Sequence, residues 1–152
     1  MRMKESSGFV MFGAAMLLSI LAFEYRANLR TMFGEQDVSL LLAPYGCAVL
    51  TAAAFGAYLS RWYDDASGIF EVLSVPVVVG ALSVFVAGQV FSFMSRNHES
   101  GPHMSFLETV AAGVYSSAAF VFVTWPVLTF AFVASSILVR YVSHKSEVAH
   151  AV

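Results

Sequence analysis

The chain has 152 residues, 59% of them hydrophobic and 12% charged, with a net charge of -2 and a mean hydropathy of +0.74. Soluble domains are roughly 25% charged, so the composition is that of a chain solvated by lipid and excludes a soluble domain. No run of five like charges occurs, which gives no basis for a nucleic-acid partner or a polybasic lipid anchor.

Four apolar stretches, residues 8–23, 38–59, 72–93 and 110–139, fill most of the sequence, and none contains Asp, Glu, Lys, Arg or His. Proton relays, substrate counter-ions and haem ligation use ionisable or ligating groups at membrane depth. Their absence removes more functions than any other feature of the chain suggests. The expected fold is all-α, an integral membrane bundle of four transmembrane helices in a single domain of residues 1–152, with spans at about 8–25, 38–60, 71–94 and 108–140.

In chain order, the first stretch is the shortest, 16 residues following Arg2 and Lys4. Glu24-Tyr25-Arg26 follows it in place of a small-residue cleavage site, so it reads as an uncleaved first span. The second and third stretches have 22 residues each, enough to cross a hydrocarbon core about 30 Å thick. Pro44 and Pro76 fall near their starts, where a missing N–H is tolerated. Cys47, the single cysteine, lies within the second stretch; it excludes an intrachain disulfide and reads as a small buried hydrophobe. The fourth stretch, 30 residues or about 45 Å as a helix, exceeds the bilayer and must tilt, kink or protrude. Pro126 removes the hydrogen bond to the carbonyl of Phe122 and predicts a kink. A re-entrant hairpin at Trp125-Pro126 is the alternative, although no Gly or Asn turn lies there. The connections hold Gly34, then Asp64-Asp65 and Ser67-Gly68, then Asn97 and Gly101-Pro102. His144 and His150 fall in a polar tail expected to fray.

With four spans, the amino terminus, second connection and carboxyl tail share one side and carry Arg2, Lys4, Arg61, Arg140 and Lys145, against Arg26, Arg30 and Arg96 on the other. The positive-inside rule therefore places both termini inside. Tyr58, Trp62, Tyr63 and Tyr141 mark an interfacial belt on that same face. Bacterial and mitochondrial inner membranes both suit a chain with connections this short.

The second span carries the clearest local pattern. Ala48, Ala52, Gly56 and Ser60 recur every four residues, flanked by Ala53 and Ala57, a face that lets another helix backbone approach closely. The third span repeats it through Gly80, Ser83 and Ala87, then Gly88. Such a face packs either against this bundle or against another chain. Gln89 is the most polar side chain inside a span; it reads as an interhelical clamp, with a ligand or quinone contact as the functional alternative. Glu24, Glu71 and Glu108 stand at span edges, and the last two precede helices, where a carboxylate complements the helix dipole.

No cofactor is implied. His98, Glu99 and His103 lack a specific metal-ligand spacing, no serine or Cys47 sits in a nucleophile elbow, and Gly8, Gly13 and Gly34 do not form a phosphate loop. No catalytic motif is present. Three functions follow in order: a structural or accessory subunit of a larger membrane complex; a homo-oligomeric small-solute transporter or channel lined by neutral groups such as Thr51, Ser83, Gln89 and Thr124; and a membrane-interface enzyme using Glu24, Arg26 and Arg30 or the His98, Glu99, His103 group. The expected partners are membrane lipid and other membrane subunits or further copies of the chain.

Overall fold

The computed structural model describes residues 3–27, 38–60, 68–98 and 105–150. They form four helices: α1, Met3–Ala27; α2, Val38–Leu59; α3, Ile69–His98; and α4, Phe106–His150. Each is long and apolar enough to cross a membrane, and no strand occurs among the described residues. In hydrocarbon every backbone N–H and C=O must be satisfied within the chain, which a helix achieves segment by segment. The protein is an all-α integral membrane bundle of four spans.

Each helix packs against two others, in the ring order α1, α2, α3, α4 and back to α1. The contacts fix the directions. Gly8, early in α1, meets Gly56 and Ser60 at the end of α2, while the Ser135 hydroxyl, late in α4, donates to the Met11 carbonyl at 3.1 Å. Along α3 and α4, Gly80 faces Leu128 and Phe132, and Ser92 donates to the Thr109 carbonyl at 2.6 Å. Successive helices are therefore antiparallel, and both chain ends lie at the same end of the bundle.

The core runs along the ring axis. Phe12 and Phe132, both fully buried, meet edge to face with ring centroids 5.6 Å apart, and Met16, Leu128 and Val139 extend the same column. Large apolar side chains such as Leu18, Leu21, Phe122 and Phe130 point outward. In water that would be an aggregation surface; around a membrane bundle it is the lipid-facing shell.

The helices run further than the apolar stretches. α3 continues through Ser95, Arg96 and Asn97 to His98, and α4 continues to His150, so the third connection is shorter than expected and the carboxyl tail is helical. Neither segment contains Gly or Pro, and nothing in it stops a helix before Gly101-Pro102 in one case. Pro44 and Pro76 lie inside their helices, past the first turn: α2 starts at Val38 as expected, and α3 starts earlier, at Ile69. α4 is continuous across Trp125-Pro126, which removes the re-entrant hairpin; a bend there stays an expectation from the missing N–H.

The described parts of α1 and α4 differ in height. Phe23 stacks on Phe120 with centroids 4.5 Å apart; α1 is described for four residues more, to Ala27, whereas α4 reaches back fourteen residues to Phe106. At 1.5 Å per residue Phe106 therefore stands about 15 Å beyond Ala27. α3 accompanies it, with Phe93 and Phe106 in ring contact at 6.0 Å.

Candidate functional site

The small-residue faces are occupied within the chain. Ala48, Ala52, Gly56 and Ser60 are all buried. A Cβ on Gly56 would lie 2.5 Å from the Phe12 Cβ and 2.6 Å from the Gly8 carbonyl oxygen, and one on Gly8 would strike the Gly56 carbonyl. Backbone thus lies on backbone at the α1–α2 crossing, the geometry that small residues permit. On α3, Gly80 faces the Leu128 and Phe132 side chains, Ser83 and Ala87 are buried, and Gly88 lies against Ser117 and the Gly113 carbonyl.

Gln89 lies over Gly113, where an added Cβ would come within 2.7 Å of its amide, and its Nε2 donates to the Val110 carbonyl at 3.4 Å. It bridges α3 and α4 outside the central cavity described below.

The buried hydroxyls are mostly committed. Ser19, Ser83 and Thr124 donate to carbonyls of their own helices at 2.7–2.9 Å, while Ser92 and Ser135 donate between helices. Among the described residues, two buried side-chain oxygens lack a close, well-aligned partner: Tyr45 Oη and Ser136 Oγ. Tyr45 also borders a space in contact with all four helices.

That space is a cavity of about 210 Å³. α1 contributes Phe23, α2 Tyr45 and Ala48, α3 Ala87 and Gly88, and α4 Phe120. Four wall positions, Ala48, Ala87, Gly88 and Ala119, are Ala or Gly and leave room beside the stacked Phe23 and Phe120 rings. The lining is almost wholly apolar. Ser116 and Ser117 are also on it, but their hydroxyls donate to the Ala112 carbonyl at 2.9 Å and the Gly113 carbonyl at 2.7 Å. The Glu24 carboxylate lies near the Tyr45 hydroxyl and acts on it both electrostatically and as a hydrogen-bond acceptor.

No protein-family model, curated protein or solved structure matches the chain. The geometry of its own residues is therefore the basis for a functional reading.

The groups weighed for interfacial catalysis do not assemble. Arg26 Nη1 donates to the Val123 carbonyl of α4 at 3.0 Å, just before Pro126 in the chain, and so ties the end of α1 to the proline-bearing turn. Glu24 lies beside the cavity, while Arg30 is outside the described residues. His98 ends α3, and Glu99 and His103 are also outside the described residues. Among the described residues no three His, Cys, Asp or Glu side chains come together as a metal site.

A further device was written in the sequence but not read from it. The Ser105 amide donates to Glu108 Oε2 at 2.7 Å, and the Glu108 amide donates to Ser105 Oγ at 3.3 Å. This is a reciprocal capping box, Ser-x-x-Glu, at the start of α4. It assigns Glu108 a structural task in addition to its favourable position on the helix dipole. The cavity, by contrast, had no linear signal: its wall draws on positions from Ile20 to Phe120.

Proposed function

We propose that the chain is a structural or accessory subunit of a larger integral membrane complex. The observation that carries this reading is the excess length of α4. Its candidate span, Phe106–Val142, has 37 residues with Glu108 and Arg140 near its ends, and the uncharged stretch between them, residues 110–139, is about 45 Å as a helix against a hydrocarbon core of about 30 Å. A tilt of 40° lengthens the path only to roughly 39 Å. Apolar helix surface therefore extends past the lipid. The α3–α4 hairpin, which rises past Ala27 of α1, exposes Phe93, Phe106, Leu107, Val114 and Tyr115. A neighbouring membrane subunit that rises to the same height is the natural cover for such a surface.

The committed interior supports the same reading. The spans hold no ionisable group between their edges, and their small-residue faces are spent on holding this bundle together. That leaves the outer surface of the α3–α4 hairpin as the docking region. The Lys and Arg distribution favours both termini inside, and a bacterial or mitochondrial inner membrane suits the short connections.

The transporter reading gains nothing from the arrangement. Ser83 and Thr124 are fully buried and bonded to their own helices, and Gln89 is engaged with Val110. They have no shared lumen to line.

Extraction of the native membrane in a mild detergent, followed by a native gel, tests the proposal. The chain is expected to migrate with other membrane polypeptides. Recovery solely as a lone monomer under conditions that preserve known complexes of the same membrane overturns it.

A further inference from the structure

We infer that the cavity between the four helices is a slot for a segment of one straight acyl tail of a membrane lipid, lying along the helix axes. This goes beyond the accessory role and does not depend on it.

Shape sets the first limit. Leu41 and Ala48 on α2, and Val84 and Phe91 on α3, mark the extent of the space, about 10 Å along either helix at 1.5 Å per residue. Spread over that length, about 210 Å³ leaves a mean cross-section of about 20 Å², the width of a single extended hydrocarbon chain. Its long direction is that of the helices, and so that of the tails in the surrounding bilayer. The slot is also longer than any apolar side chain, which argues against a residue of another subunit as its filling.

Polarity and access set the second limit. Ser116 and Ser117 donate within their own helix, and the Tyr45 hydroxyl is shielded from the space with Glu24 as its acceptor, so the wall offers no free donor. A polar guest would be stripped of its partners there, and buried water uses two to four polar contacts. Hydrocarbon gives up nothing, and it supplies the dispersion contacts that an empty wall lacks; an apolar cavity of about 150 Å³ stays dry and takes up benzene. Leu41 and Phe91 are partly exposed and Ala119 is exposed, so the space opens to the lipid-facing surface. The end at Leu41 and Phe91 lies three residues from the start of α2 and five from Arg96. A lipid can therefore hold its headgroup at the interface with its tail in the slot.

The test uses the full chain purified into phosphatidylcholine nanodiscs with a small fraction of straight-chain phosphatidylcholine carrying a diazirine midway along one tail. Products of irradiation are mapped by mass spectrometry. Label is expected on Ala48, Val84 and Ala87, which are buried from ordinary boundary lipid, as well as on the outward-facing Leu18 and Phe122. When the background lipid has methyl-branched phytanoyl tails, which overfill a space one chain wide, the ratio of inner to outer label should rise about five-fold. Ala87→Leu fills the slot and should lower inner label at least about ten-fold with outer label unchanged. The two wild-type comparisons stand whether or not that variant folds. Outer label without inner label overturns the inference, since the space is then an empty void or the seat of another group. An inner-to-outer ratio indifferent to branching, or inner label that survives Ala87→Leu, overturns it as well.

Discussion

At the scale of single residues, the tightest point of the molecule is the crossing of α1 and α2, where Gly8 and Gly56 face one another and Phe12 closes over them. Overpacking a close contact costs about 1–3 kcal/mol, and at Gly56 the opposing atoms are the Phe12 Cβ and Cγ, at the root of that side chain, and the Gly8 carbonyl oxygen. Gly56→Val is expected to destabilise the bundle by about 2 kcal/mol on that scale, as read by denaturant unfolding in micelles. Gly46 is the matching control: an added Cβ meets nothing within 4 Å. Gly46→Ala should be neutral or stabilise by up to about 1 kcal/mol, because Gly is a poor helix residue. The capping box gives a second residue-scale expectation. Ser105→Ala removes one half of the reciprocal pair with Glu108 and should cost about 1 kcal/mol, seen as faster hydrogen exchange in the first turn of α4. Residue-scale features divided by range. The Ser105-x-x-Glu108 pattern stands in the sequence for anyone who looks for it, as does the spacing of Ala48, Ala52, Gly56 and Ser60. What Gly56 would touch depends on Gly8 and Phe12, more than forty positions away.

At the scale of elements, existence and order of the helices were legible and their ends were not. Hydropathy locates the part of a helix that crosses lipid, because each polar insertion there carries a large cost. It is silent on where the helix stops. Ser95, Arg96 and Asn97 are polar but compatible with a helix, and α3 absorbs them. The Arg26 contact to Val123 is also an element-level feature, because it secures the end of α1 to α4 close to Pro126. Pro126 leaves the Phe122 carbonyl without its helical donor, so that turn is already short of backbone hydrogen bonds. Arg26→Gln is expected to raise hydrogen exchange in the α4 segment around Val123 while leaving the Ser105 end unchanged. Equal exchange at both places in the variant and the wild type would show that the arginine secures nothing.

At the scale of the whole molecule, the four antiparallel helices were expected as a bundle, but their ring order was not. The sequence does reveal that the last apolar stretch is too long for a bilayer. It does not reveal that α3 rises with α4, or that Phe23 of α1 lies level with Phe120; those follow from how Phe23, Phe93 and Ser92 find their partners. The central cavity is likewise a product of assembly, since no helix forms more than part of its wall. A bundle whose neutral hydroxyls are committed to its own backbone should conduct nothing by itself. Liposomes containing only this chain are expected to show no solute or ion flux above empty controls once insertion is verified, and flux that scales with inserted protein would restore the transporter reading.

The central claim is that the α3–α4 hairpin is covered by another membrane subunit. The most direct measurement is quantitative co-purification from mild-detergent extracts of cells carrying the tagged wild type or the Phe106→Asn, Leu107→Asn double variant, with equal membrane insertion verified. Both side chains are strongly exposed and belong to the first turn of α4, so the changes leave the buried core in place and remove one internal contact, the Phe93–Phe106 ring pair, for which Phe93→Leu with Phe106 kept is the control. The account predicts a stoichiometric partner with the wild type and at least a ten-fold loss of it with the variant, as for a disrupted interface centre. A wild-type chain that emerges alone, or a partner retained undiminished by the variant, would contradict it.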